Sequence, residues 1–243
     1  MGTSKGYQAP TTPQWGKQKG DVTRASRNGA VSQEVARDIV RGYIQANGGS
    51  ETVSQGGGTI GGSRSAQKAG QRLAGFVSSV ASRGLERVLQ DEGLSDLIGH
   101  PAKEVALAIA DRLCEDGSTL DEVDTRNALS DLLDELLEKA ETYEEVKEIF
   151  EKTIPINELG NLLIRFFGHY LYRQFCRVYY ERLVTRHGEK KASDFLTSIK
   201  DMISSLVRLK TFDKDLSKIN WGGEEGASLA DNILEQTYKV FDR

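Results

Sequence analysis

Cysteine, histidine and proline are scarce in this 243-residue chain, which has two, three and four of them. Cys114 and Cys176 fall singly within helical patterns, and nothing before them resembles a secretory signal, because the first residues lack an apolar core. The expectation is therefore a cytoplasmic protein with reduced thiols. Three histidines and two separated cysteines also fall short of the three or four convergent ligands that a metal ion needs. Long apolar runs are missing too. The most apolar stretch, Leu162 to Tyr172, is interrupted by Arg165 and His169, which excludes an ordinary transmembrane span. No alternating strand segment, fixed-period repeat or G-x-x-x-x-G-K-[ST] phosphate loop is present.

What is present is helical periodicity. Ser32 is placed to cap a short helix carrying Val35, Ile39, Val40, Tyr43 and Ile44, closed by Asn47-Gly48-Gly49. Gly48 to Gly62 reads as a Gly/Ser/Gln/Thr linker. One helix then carries Leu73, Phe76, Val77, Val80, Leu85, Val88 and Leu89, weakened by Gly75 and Gly84. Pro101 suits a first helical position, ahead of a stripe of Val105, Ile109 and Leu113. Thr119-Leu120-Asp121-Glu122 and Thr142-Tyr143-Glu144-Glu145 are capping boxes, in which Thr and Glu side chains satisfy otherwise unpaired backbone N–H groups. After the first box, Val123, Leu129, Leu132, Leu133, Leu136 and Leu137 form a wide apolar face.

The longest pattern runs from near Pro155 to His187, with Gly188 as its stop, and it is apolar on several faces. Such a helix is normally surrounded by others, so it is the candidate core helix. Further helices carry Phe195, Leu196, Ile199, Met202, Ile203 and Leu206, then Leu229, Ile233, Leu234, Tyr238 and Val240. The fold class is all-α: an irregular multi-helix bundle with an extended, Gly/Pro-rich N-terminal arm. Residues 1–30 read as an extended partner-binding segment, 31–64 as a short helix plus Gly-rich linker, and 65–243 as an all-helical globular domain.

Charge divides the chain in the same way. Residues 1–75 hold 10 Lys+Arg against 4 Asp+Glu, whereas 76–243 hold 22 against 32. A basic arm on an acidic body could meet acidic protein, RNA or the body itself, although salt screens all three.

Candidate chemistry is sparse. Gly56, Gly58 and Gly61 satisfy G-x-G-x-x-G but follow polar linker rather than a strand, so flexible linker is the better reading. His169 and Cys176 lie seven residues apart, about 10 Å along a helix, too far to share a proton. Carboxylates crowd Asp131, Asp134, Glu135, Glu138, Glu141, Glu144, Glu145 and Glu148, either as a solvated face or as a dock for a basic partner. Arg165, Arg173, Arg177, Arg182 and Arg186 alternate with Tyr172, Tyr179 and Tyr180, a mixture that can hold nucleic acid. The body's negative charge opposes that use and favours salt bridges to the acidic helices.

The first fifteen residues remain. Two prolines, inner glycines and three threonines argue against helix or strand, yet Tyr7 and Trp15 are large aromatics with no solvating purpose. They suggest a peptide that another protein holds. Trp15 could equally pack onto this protein's own body. A small residue after Met1 allows the methionine to be removed, exposing the α-amine of Gly2; Gly6 departs from the myristoylation pattern.

Met1-Gly2-Thr3-Ser4, Tyr7, Pro10 and Pro13-Gln14-Trp15 resemble the start of the QatB family of the QatABCD anti-phage system. The likeness continues through Ala74-Gly75-Phe76-Val77-Ser78-Ser79-Val80-Ala81-Ser82-Arg83-Gly84-Leu85 and Gly117-Ser118-Thr119-Leu120-Asp121-Glu122, none of which is a catalytic signature. The resemblance implies a noncatalytic component without cofactor or metal that partners QatC, a QueC-like enzyme. Such enzymes use ATP to adenylate a 7-deazaguanine carboxylate and deliver it to a nitrogen nucleophile. It further implies modification of the Gly2 amine, with Gly2, Thr3, Ser4, Tyr7, Pro10, Pro13 and Trp15 as partner-binding residues. The system's ATPase and TatD-like nuclease would be further partners. The alternative is an unmodified scaffold or adaptor bridging members of the complex. An enzyme with an unfamiliar helical site is disfavoured because no catalytic set converges.

Overall fold

The computed structural model describes residues 12–55, 57, 63–114, 117–154, 158–210, 216 and 218–242. Among these, eleven α-helices and no strand are found. They are α1 (Pro13–Ala25), α2 (Gln33–Ala46), α3 (Ser50–Ser54), α4 (Arg64–Arg83), α5 (Leu85–Asp91) and α6 (Ala102–Leu113). Then follow α7 (Leu120–Leu136), α8 (Tyr143–Glu148), α9 (Leu159–His187), α10 (Glu189–Arg208) and α11 (Glu224–Lys239).

The expected core helix is α9. At 29 residues it is about 44 Å long. Phe166, Phe167 and Phe175 are fully buried on it, each stabilising the fold by about 1.5–3 kcal/mol. Helices α7 and α10 pack most extensively along α9, with α4 and α11 completing its surround. A buried chain of hydrogen bonds ties three of these helices together. Tyr238 Oη donates to Gln174 Oε1 at 3.0 Å, and Gln174 Nε2 donates to the Tyr170 hydroxyl at 2.7 Å. That hydroxyl in turn donates to Asp121. Burial without these partners would leave each polar group carrying its full desolvation penalty.

The local signals hold at several termini. Ser32 caps α2 through the N–H of Val35, and both capping boxes form, Thr119 with Glu122 and Thr142 with Glu145. Gly188 ends α9.

Elsewhere tertiary packing overrides the sequence reading. The N-terminal arm was expected to be extended through residue 30, yet residues 13–25 are helical. Thr12 is the N-cap and Pro13 occupies the first turn, where a missing N–H costs nothing. Inside the expected Gly48–Gly62 linker, residues 50–54 form α3, because Val53 is buried and the helix packs on α11. The expected single helix from Leu73 to Leu89 breaks at Gly84, whose φ of 81° favours glycine. The new start is capped by Glu151, which accepts the N–H of Leu85 at 2.7 Å. Pro101 caps α6 rather than opening it, and Val123, expected on the apolar face of α7, is exposed.

Candidate functional site

The arm is clamped by its own first helix. Trp15, Gln18 and Val22 recur at helical spacing and form the buried face of α1. Trp15 is completely buried, its ring meeting that of Tyr43 edge to face at 5.8 Å between centroids. Tyr43 continues the cluster against Phe175 at 5.3 Å and Tyr179 at 6.1 Å, so the arm reaches the middle of α9 through α2. Edge-to-face contacts of this kind add about 0.5–1.5 kcal/mol beyond area burial. The amide of Gln18 donates to the carbonyl of Ile39 at 2.8 Å, which satisfies a buried polar group. At the far end of α1, Arg182 Nε donates to Thr23 Oγ1 at 3.2 Å, and His187 Nε2 lies 3.1 Å from the Thr23 carbonyl.

Of the two uses open to Trp15, the structure places it inside this chain. Pro13, a candidate partner contact, is exposed. Gly2, Thr3, Ser4, Tyr7 and Pro10 lie outside the described residues, as do Gly56, Gly58 and Gly61 of the glycine pattern. Tyr43, which meets the Trp15 ring, and Gln18, which ties α1 to α2, were missed as parts of this clamp. The 15–18–22 spacing was the available signal, masked by the prolines before it.

The arginines of α9 face the carboxylates of α7. Arg173 makes a forked pair with Asp131, with both contacts at 2.6 Å, and Arg177 Nε stands 2.8 Å from Asp124. Glu135 gathers Arg165 and His169 of α9, each at 2.9 Å, and Arg208 of α10. The hydrogen bond from His169, then those cations, hold the Glu135 carboxyl down at about 2. Burial pushes the Asp124 carboxyl up to about 6 against the pull of Arg177. Arg165, Arg173 and Arg177 are thus used in interhelical pairing. Part of the carboxylate run, Asp131 and Glu135, is accordingly half-buried in interhelical pairs rather than a fully solvated face.

His169 and Cys176 do not come together as an acid–base or nucleophile pair. Burial pushes the Cys176 thiol up to about 11, away from nucleophilic thiolate, while His169 is bound to Glu135 rather than aimed at Cys176. Among the described residues, no group of three or more His, Cys, Asp or Glu side chains could hold a metal ion. No helix among them is long and apolar enough to cross a membrane.

Fold and site together define a helical protein with a seam of ion pairs joining α7, α9 and α10, and a clamped N-terminal arm. The family of the Qat anti-phage system associated protein QatB matches residues 48–241. The chain belongs to the QatB family, and so is a component of an anti-phage defence system. Neither the curated proteins nor the solved structures contain a match to it. Helices α1 and α2 precede the matched region.

Proposed function

We propose that this chain is a noncatalytic partner and protein substrate of the QueC-like enzyme of its system, modified at the amine of Gly2 after removal of Met1. The observation that carries this reading is the clamp at Trp15. It commits α1 to the bundle, and we assign the contact with the enzyme to Gly2, Thr3, Ser4, Tyr7 and Pro10, together with the exposed Pro13. Ten residues from Gly2 to Thr11 can reach about 35 Å when fully extended, enough to enter a deep active site.

The chemistry suits the residue. An α-amine with pKa near 8 has a substantial neutral fraction at cellular pH, and glycine places no side chain beside it. The amine nitrogen attacks the acyl carbon of the adenylated 7-deazaguanine carboxylate. The C–N amide bond forms, the bond to AMP breaks, AMP leaves with the electron pair, and the nitrogen loses its proton. The modified protein then acts with the system's ATPase and TatD-like nuclease.

Gly2→Pro tests this reading by replacing the primary amine with a hindered ring nitrogen. Modification and phage resistance are both expected to be lost, and undiminished resistance would contradict the substrate role. The second reading is an unmodified scaffold, in which the helical body docks the partners. Under that reading, deletion of residues 2–11 leaves partner binding intact.

A further inference from the structure

The end of α1 and the turn between α9 and α10 meet at one corner of the protein. Arg182 and His187, near the end of α9, both contact Thr23 of α1. A Cβ placed on Gly29 would lie 3.7 Å from Lys191 Cα, so the chain after α1 runs against the start of α10. Residues 13–30 carry four bases and one acid, and residues 181–194 carry four bases and three acids. The corner thus sets eight bases against four acids on a chain whose net charge is −4.

The excess is not neutralised locally. Arg24 and Lys190 pair with Asp21 and Asp194. Lys17, Arg27, Arg186 and Lys191 are exposed, and none of these four forms an ion pair among the described residues. Arg182 donates to a hydroxyl, which does not balance its charge. The Asp124, Asp131 and Glu135 carboxylates of α7, which could have drawn a basic arm, pair with cations of α9 and α10 instead.

The kind of partner follows from what else the corner presents. Every large apolar side chain exposed among the described residues lies outside residues 13–30 and 181–194. Tyr180, the nearest in sequence, lines a groove beside Leu120 and Val123 of α7. Protein interfaces are built round apolar and aromatic side chains, with lysine depleted. A helix that lies on a membrane needs a free apolar face, and that of α1 is buried at Trp15, Gln18 and Val22. Interfaces with nucleic acid are more polar and much more positive. Single strands are held on aromatic platforms, and duplex RNA partly through its 2′-hydroxyls. A patch of cations alone matches the DNA duplex, whose phosphates the forked guanidinium groups of Arg27 and Arg186 suit.

We infer that the corner formed by α1 and the α9–α10 turn binds the phosphate backbone of double-stranded DNA without reading its sequence. Lys17, Arg27, Arg186 and Lys191 supply the contacts. The site belongs to the clamped helix α1 rather than to the residues before it, and it is independent of any modification at Gly2.

The test is fluorescence anisotropy of a labelled DNA duplex of arbitrary sequence titrated with the full chain. Binding is expected at low salt, with log K falling linearly against log salt at a slope of about −3 to −4, as four neutralised phosphates require. The triple substitution Lys17→Glu, Arg27→Glu and Lys191→Glu should weaken binding about tenfold or more and flatten that slope. A second triple, Lys103→Glu, Lys139→Glu and Lys218→Glu, changes the net charge equally at exposed sites elsewhere and should bind much as wild type does. If the first triple melts early, single Arg27→Ala and Lys191→Ala variants decide the matter, each reducing the slope by about one.

A wild-type chain that leaves the duplex free at low salt overturns the inference. So does a corner triple that binds like wild type, or a second triple as damaging as the first, because net charge alone would then account for binding. Tighter binding of duplex RNA or of single strands, or displacement of the DNA by polyglutamate at equal charge, gives the corner to another polyanion and overturns it too.

Discussion

Trp15 stands edge to face on Tyr43, the ring planes 83° apart, so the N-terminal helix is held by the same aromatic cluster that packs on Phe175 and Tyr179 of the central helix. An aromatic this deeply placed serves the fold first. Trp15→Ala should destabilise the protein by about 3–5 kcal/mol, and Trp15→Phe by less. Chemical denaturation of both variants checks this. A Trp15→Ala protein of unchanged stability but weakened partner binding would return Trp15 to the role of partner anchor.

Two glycines should respond with opposite signs to the same substitution. At Gly16, on the outer face of α1, an added Cβ meets nothing within 4 Å. Gly16→Ala should therefore stabilise the protein by about 0.5–1 kcal/mol through helix propensity. At Gly226, the Cβ would sit 2.6 Å from Trp221 Cα and 2.9 Å from the carbonyl oxygens of Asn220 and Trp221. Backbone cannot move aside as a flexible side chain can, so Gly226→Ala should cost about 1–3 kcal/mol. Thermal melts of the two variants read both signs.

Acid should loosen the α7–α9–α10 seam at Glu135. Its carboxyl is held at about 2, below the 4.5 of an unperturbed glutamate, by His169, Arg208 and Arg165. The folded state thus releases this proton more readily than the unfolded chain does. The resulting stability is complete above about pH 4.5 and is lost as pH falls toward 2. Glu135→Gln should cost about 1–2 kcal/mol at pH 7, allowing for solvent screening around the exposed Arg208, and should flatten the acid limb of a stability–pH profile. An unchanged acid limb would contradict the cluster.

Much of this architecture is legible in the residues, and the exceptions share a cause. The two capping boxes, the Ser32 cap and the Gly188 stop are local devices, readable wherever the chain carries them. Helix α9 is legible because apolar residues on most of its faces require neighbours all round. Helix α1 is not. Pro13 and Gly16 argue against helix locally, and only the distant Tyr43 makes burial of Trp15 favourable. The exposure of Leu120 and Val123 is hidden for the opposite reason. Both continue the apolar pattern of α7, and nothing in that pattern tells that no helix among the described residues covers its first turns. The salt bridges were readable as a kind, arginine to acidic helix, while the partners Asp124, Asp131 and Glu135 required the packing of α7 on α9.

The central claim is that the amine of Gly2 is the acceptor, and intact mass spectrometry of the protein's N-terminus tests it most directly. The full chain is expressed with its QueC-like partner under conditions in which the defence system is active. The account predicts loss of Met1 and an added mass equal to a 7-deazaguanine carboxylate joined as an amide, mapping to Gly2 and absent when the enzyme is inactivated. A Gly2 amine that remains free or merely acetylated in the active system would contradict it.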